Sequence, residues 1–359
     1  MIDGTRKVRP GEELDAEKLC VFLGENVPGL TGITPTHIVV EQFPGGHSNL
    51  TYLVRLGPPF ARDLVLRRPP FGNQVKTAHD MGREVRVLTK LAPVYAPAPR
   101  VVASTDDVGV LGAPFYLMEP VEGLIFRRTP PPGISIDDAL ARTLSETCVD
   151  GLAELHGVDV QKHGLLELGK PDGFVRRQVT GWAERYEKAK TDELPDLPWV
   201  VSWLMEHLPV SPPPTIVHND WKFDNLVLDP KDPGRIVGVL DWEMATVGDP
   251  LMDVGTMLSY WIEKDDPDDD QLMAFGPTNL TGSLRRSEAA ARYAAKTGRD
   301  LSAIVFYYAC ACFKTAVVAQ QIYARYKRGL TKDERFAIMI HGVRVLGAAA
   351  RRAIERGSV

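Results

Sequence analysis

Residues 218–225 read His218-Asn219-Asp220-Trp221-Lys222-Phe223-Asp224-Asn225. The apolar run Leu226-Val227-Leu228 follows, then a Pro/Gly turn, then Ile236-Val237-Gly238-Val239-Leu240, which stops at Asp241. The pattern is H-x-D-x-K-x-x-N followed by an apolar strand ending in Asp. Phosphoryl transfer from a nucleotide needs few protein groups: a carboxylate to take the proton of the attacking hydroxyl, oxygen ligands for magnesium, and positive charge near the moving group. Asp220 suits the first role. Asn225 and Asp241 are oxygen donors suited to a hard cation, and Lys222 can neutralise charge on the transferred phosphate. Pro214-Thr215-Ile216-Val217 on one side and Leu226-Val227-Leu228 on the other clamp this polar loop between apolar runs, a rigid place for chemistry.

The segments IVHNDWKFDNLVLDP and VGVLDWEMATVGDPLMDVG resemble the aminoglycoside phosphotransferase/choline kinase-like family of the protein-kinase-like fold. They are most like the branch whose domains are also fused to acyl-CoA dehydrogenases. The resemblance implies magnesium-dependent transfer of the ATP γ-phosphoryl group to a hydroxyl of a small molecule. It makes Asp220 the base, Lys222 its charge-balancing companion, and Asn225 and Asp241 the magnesium ligands. It gives His218 and Asp253 supporting roles around the loop. Glu243, standing where protein kinases carry Gly, is a candidate for a second metal or for the substrate. No Ala-Pro-Glu activation segment follows, which argues against a protein substrate. The branch suggests a hydroxylated metabolite as acceptor, such as a hydroxyacyl thioester or hydroxy acid; choline-like, sugar-like and aminoglycoside acceptors stay open.

The expected architecture is α+β and two-lobed: an appended N-terminal helix (1–29), a small antiparallel β lobe that binds nucleotide (30–120), and a larger, mostly helical lobe (121–359) carrying catalysis and the acceptor. Three strands are expected over 36–68. Between the first two, Gly45 and Gly46 let backbone amides approach a phosphate, with Ser48 and Asn49 adding donors. The third ends in Arg67-Arg68, where the fold places its phosphate-pairing lysine. Either arginine is a candidate, and strand alternation favours Arg67, facing with Val65. The arginine also motivates an alternative reading, a nucleotide-binding pseudokinase or regulatory module. A helix over 77–91 has Met81, Val85 and Leu88 as its stripe, with Leu91 one turn on and Glu84 beside it. A carboxylate there needs a cation, and Arg67 is the natural partner. By resemblance, Met118, Glu119 and Val121 form the hinge that receives the adenine. Since the hinge reads through backbone, the sequence does not separate ATP from GTP.

In the second lobe a helix ends at His156, read as a packed or capping histidine, with Gly157 as C-cap. Gly164–Lys170 opens like a phosphate loop but puts Pro171 where Ser or Thr must hold magnesium, so it is set aside. The acidic run 263–270 reads as a solvated loop. A net charge of −5 argues against a nucleic-acid partner. No apolar run is long enough to cross a bilayer. Cys20, Cys148, Cys310 and Cys312 have no metal or redox spacing, and a reducing cytoplasm is the expected location. The partner expected is a small hydroxyl acceptor, with neither nucleic acid nor membrane.

Overall fold

A computed structural model describes residues 4–44, 49–70, 80–331 and 333–359. In chain order the elements begin β1 (Arg6–Lys7), α1 (Ala16–Asn26), β2 (Ile38–Gln42), β3 (Leu50–Leu56), β4 (Arg62–Arg68), α2 (Met81–Leu91), β5 (Val101–Thr105), α3 (Val108–Leu111) and β6 (Phe115–Met118). They continue with α4 (Asp138–His156), α5 (Phe174–Ala189), α6 (Asp196–Glu206), β7 (Thr215–Val217), β8 (Leu226–Leu228), β9 (Ile236–Val239), β10 (Thr246–Gly248) and α7 (Pro250–Ser259). The chain ends with α8 (Asp268–Gln271), α9 (Arg286–Thr297), α10 (Ile304–Lys327) and α11 (Met339–Arg356). They form two compact units, Met1–Ile125 with Val227–Ala245, and Phe126–Leu226 with Thr246–Val359.

The first unit is built on a six-stranded antiparallel sheet in the order β1-β2-β3-β4-β6-β5. Side chains alternate between its faces. One face presents Tyr52, Val54, Leu64, Leu66, Phe115 and Leu117 to a core shared with Leu19, Phe22 and Leu23 of α1. Helix α1 therefore packs into the body of this unit. It starts where Asp15 accepts from the backbone N–H groups of Glu17 and Lys18, both at 3.1 Å. Val65 and Arg67 alternate to the opposite face, and the β4–β6 register sets Arg67 against Tyr116.

Helix α2 is capped by Asp80, which accepts from Arg83 N–H. Its buried residues are Met81, Glu84, Val87, Leu88 and Leu91, with Val85 only half-buried. The stripe is rotated from the expected one and carries Glu84 within it. Leu124 pairs with Leu228, joining the β8–β9 ribbon to this unit. Gly238 fits because a Cβ there would strike the Val121 side chain.

The second unit is largely helical. Helix α10 runs 24 residues with Phe306, Tyr307, Phe313, Ala316 and Val317 buried. It is apolar on most sides, as a helix in the middle of a bundle must be. Helix α7 starts at Asp249, whose carboxylate accepts from Leu251 N–H at 2.9 Å, with Pro250 at the first helical position. The ribbon β7–β10 pairs Val217 with Thr246 and Thr215 with Gly248. It leads β7 straight into the loop that starts at His218.

Candidate active site

In the first unit the chemistry gathers on Arg67. Its guanidinium lies 3.3 Å from Glu84, 2.5 Å from Asp241 and 3.3 Å from Glu243. Arg67 and Glu84 are nearly closed to solvent, with side-chain exposures of 11% and 1%. Burial pushes the Glu84 carboxyl up, against the pull of Arg67. Burial also works against the Arg67 charge, but Asp241 and Glu84 hold it well above the ordinary arginine range. Arg68 turns to the other side of β4, where its guanidinium donates to the carbonyls of Leu111 (2.8 Å) and Pro69 (3.1 Å). The two arginines thus face opposite ways, and Arg67 is the one beside Glu84. Asp241 adopts the left-handed conformation (φ 66°), which Asp tolerates better than most residues.

Glu243 Oε2 also accepts from Asn49 Nδ2 at 2.8 Å. Gly45, Gly46 and Ser48 lie outside the described residues. Met118 ends β6 and is almost buried. Glu119 spends its N–H on Arg100 O (2.9 Å), which leaves its carbonyl as the polar backbone atom to offer. Val121 packs over Gly238.

In the second unit Asp220 is held on both oxygens. Tyr260 Oη donates to Oδ1 at 3.0 Å, while Lys222 Nζ (2.6 Å) and Asn225 Nδ2 (3.0 Å) donate to Oδ2. Asn225 Nδ2 also reaches Asp220 O at 2.8 Å. The loop backbone is fixed from below by Asp253. Its Oδ2 accepts from His218 N–H and its Oδ1 from Asn219 N–H, each at 2.5 Å. Asn219 takes the left-handed conformation at φ 65°.

His156 Nε2 meets Asp253 Oδ2 at 3.2 Å and its Nδ1 meets Tyr293 Oη at 2.7 Å. An ionised carboxylate only accepts, so Nε2 carries the proton and Nδ1 accepts from the tyrosine. Burial lowers His156 below the usual imidazole range, with Asp253 opposing. Burial works to raise Asp253, yet the bonds from His156 and the loop hold it below the usual carboxylate range. His156 is thus a packed histidine, and Asp253 buttresses the loop.

Two contributors had no signature in the motif: Tyr260, and Lys314 of α10, whose ammonium donates to Asn219 O. Lys314 did have a trace, as a lone cation in an apolar helical stretch. The acidic run is exposed at 264, 265 and 267–269, as expected, but its carboxylates are answered by arginines. Asp266 pairs with Arg286, Asp270 with Arg352, and Asp265 with Arg285 at 2.6 Å.

A cavity of about 480 Å³ in this unit is lined by Arg127, Arg128, Ser135, Gln271, Gly276 and Asn279 among others, and by no carboxylate among the described residues. Gly276 also lines a small void beside Lys222, Phe223 and Tyr260.

Asn225 turns its amide nitrogen to Asp220, so its carbonyl oxygen faces away; that oxygen in the second unit and the Asp241 carboxylate in the first are each of the donor type that a hard cation takes. No group of three or more His, Cys, Asp or Glu able to hold a metal occurs among the described residues.

Residues 39–293 match the model of the phosphotransferase enzyme family. The chain is 32% identical over 345 residues to rat (Rattus norvegicus) acyl-CoA dehydrogenase family member 11, covering 92% of this chain but 42% of that protein. It therefore spans well under half the length of that curated relative. Among solved structures, a Ralstonia eutropha JMP134 protein assigned as an aminoglycoside phosphotransferase is 28% identical with a TM-score of 0.78, covering 96% of this chain and 99% of that one. Choline kinase from Cryptosporidium parvum Iowa II, 14% identical with a TM-score of 0.67 over 96% and 97% of the two chains, shares the fold. The two-lobed kinase-like α+β fold, the motif at 218–225 and the family match agree, and the chain belongs to the phosphotransferase enzyme family.

Proposed function

We propose that this protein catalyses magnesium-dependent transfer of the ATP γ-phosphoryl group to a hydroxyl of a small molecule. The observation that carries this reading is the Asp220 carboxylate, oriented by Tyr260, Lys222 and Asn225 on a loop anchored to Asp253. Asp220 orients the acceptor hydroxyl and takes its proton as the acceptor oxygen bonds to the γ-phosphorus and the bridge to ADP breaks. Lys222, beside it, offsets charge on the moving group. Asn225 and Asp241 are the proposed magnesium ligands; the bound ion neutralises and aligns the nucleotide phosphates.

Arg67, braced by Glu84, balances phosphate charge in place of a lysine. Its fixed fork suits phosphate oxygens. Asn49 joins Gly45, Gly46 and Ser48 in the proposed phosphate cradle. Met118, the Glu119 carbonyl and Val121 are proposed to receive the purine, adenine or guanine alike.

The similarity to acyl-CoA dehydrogenase family proteins supports a hydroxyacyl compound or hydroxy acid as acceptor. Arg127 and Arg128 in the lining of the 480 Å³ cavity, with Arg127 3.9 Å from Asp224, favour an acidic acceptor over a cationic one. Four free, buried cysteines fit a reducing, cytoplasmic setting.

One observation favours a second reading. Asp241, a proposed metal ligand, is already paired with Arg67. If that pair persists, the protein binds nucleotide without turnover, as a pseudokinase or regulatory module. Calorimetric titration of ATP with and without magnesium, on wild type and Asp241→Ala, separates the two. Magnesium-dependent binding lost in the variant supports the kinase. Binding that ignores magnesium in both proteins supports the module.

A further inference from the structure

Helix α10 is the most apolar long helix of the second unit, yet Lys314 sits in its middle with 7% exposure. A buried ammonium is costly unless hydrogen-bonded and faced by opposite charge. Its neighbours Phe313, Ala316 and Val317 show that an apolar side chain would be at home there.

Lys314 Nζ donates to Asn219 O, the carbonyl of the peptide that leads into Asp220. The N–H of that same peptide, on Asp220, reaches His218 Nδ1 at 3.3 Å. The preceding peptide is tied through Asn219 N–H to Asp253. Both peptides flanking the left-handed Asn219 are therefore held, the second by Lys314 on its carbonyl and by His218 on its N–H. The next residue of α10, Thr315, shares a side-chain hydrogen bond with Tyr260, which itself grips Asp220. One turn of α10 thus underpins both the backbone and the side chain of the proposed base.

We propose that Lys314 is a positioning residue whose buried ammonium clamps the Asn219 carbonyl and so holds Asp220 in the orientation that phosphoryl transfer requires. The inference rests on the kinase reading for its consequence, and on the loop geometry alone for its structural part. Asp220 and Asp253 act on Lys314 with opposite charge, and Lys222 with like charge. Burial lowers its pKa from the ordinary lysine range, with Asp220 and Asp253 opposing.

The test uses Lys314→Met and Lys314→Arg in the full chain. Lys314→Met takes the ammonium from the Asn219 carbonyl and the opposing charge from Asp220 and Asp253, so it is expected to melt below the wild type, and kcat is read at a temperature where both proteins are fully folded. Its kcat is expected to fall about 10–100-fold, the cost of misplacing a catalytic group by about 1 Å, while the KM for ATP stays within about threefold. Lys314→Arg, which keeps the charge and a donor, recovers part of the loss. Hydrogen–deuterium exchange over residues 217–225 rises in Lys314→Met alone.

Full kcat with unchanged exchange in Lys314→Met overturns the proposal. So does a fall in activity that merely tracks a fall in melting temperature, which is what a packing role predicts. If the wild type transfers no phosphoryl group, the kinase reading fails instead, and the exchange measurement still judges the clamp.

Discussion

Arg67→Met removes a cation that pairs with Glu84, Asp241 and Glu243 together. Asp241 and Glu243 keep side-chain exposures of 32% and 24%, so water takes up part of their stranded charge. Glu84, at 1%, has no such relief and dominates the loss. Breaking a buried pair costs about 3–5 kcal/mol; at roughly 2 °C per kcal/mol for a chain of this size, melting should fall about 6–10 °C.

Burial already raises Glu84 above its ordinary value of 4.5. An acid whose folded pKa lies above its unfolded one binds more protons when folded, so its contribution to stability declines as pH rises through that value. Without Arg67 the folded value climbs further, and the penalty should widen from pH 5 to pH 8. The double variant Arg67→Met/Glu84→Gln, with the stranded charge gone, should regain more than half of the loss. Differential scanning fluorimetry across that pH range reads all three effects. A fall of under about 2 °C at every pH, on the same scale, or a double variant no better than the single, would refute the reasoning.

The buried His156–Asp253 pair makes the second unit less stable in acid. Because His156 is lowered, the unfolded chain takes up a proton below about pH 6.5 that the folded chain does not, and stability drops as pH falls. Asp253, held low, adds a loss in the same direction at still lower pH. Melting temperature should decline from pH 7 to pH 5 and decline less in His156→Gln; a wild-type curve that is flat or rising would contradict this. Gly255 of α7 lies against Tyr307 of α10, whose carbonyl an added Cβ would strike. Gly255→Ala should cost about 1–3 kcal/mol in urea unfolding, and an unchanged midpoint would show that the helices yield.

What the sequence made legible is local. The polar residues of 218–225 are fixed by a short loop between apolar runs, and strand alternation was enough to turn Arg67 and Arg68 to opposite faces. Asp253 is similarly close, opening the helix after β10. What stayed hidden depends on distant partners. Lys314 lies 95 residues from Asn219 and Tyr260 lies 40 from Asp220, so neither contact leaves a spacing to read. The run 263–270 showed its charge but not the arginines at 285, 286 and 352 that answer it. Glu84 could be placed near a buried face, but the helical stripe admitted a rotation that exchanged it with Val85. The ribbon and turn of 227–245 join the first unit by tertiary contacts that no composition shift announces.

The most direct test of the account is acceptor-dependent phosphoryl transfer. The purified chain, ATP and magnesium are incubated with a hydroxy acid, a hydroxyacyl thioester, choline, a sugar or an aminoglycoside, and phosphorus NMR follows ADP and any phosphomonoester. The account predicts that one class, the acidic acceptors first, yields phosphomonoester matching ADP one for one. Asp220→Asn should slow that reaction about 100–10,000-fold, the usual worth of a general base, without lowering the melting temperature. No acceptor-dependent ADP from a folded, nucleotide-binding wild type, or an equal rate in Asp220→Asn, would contradict it.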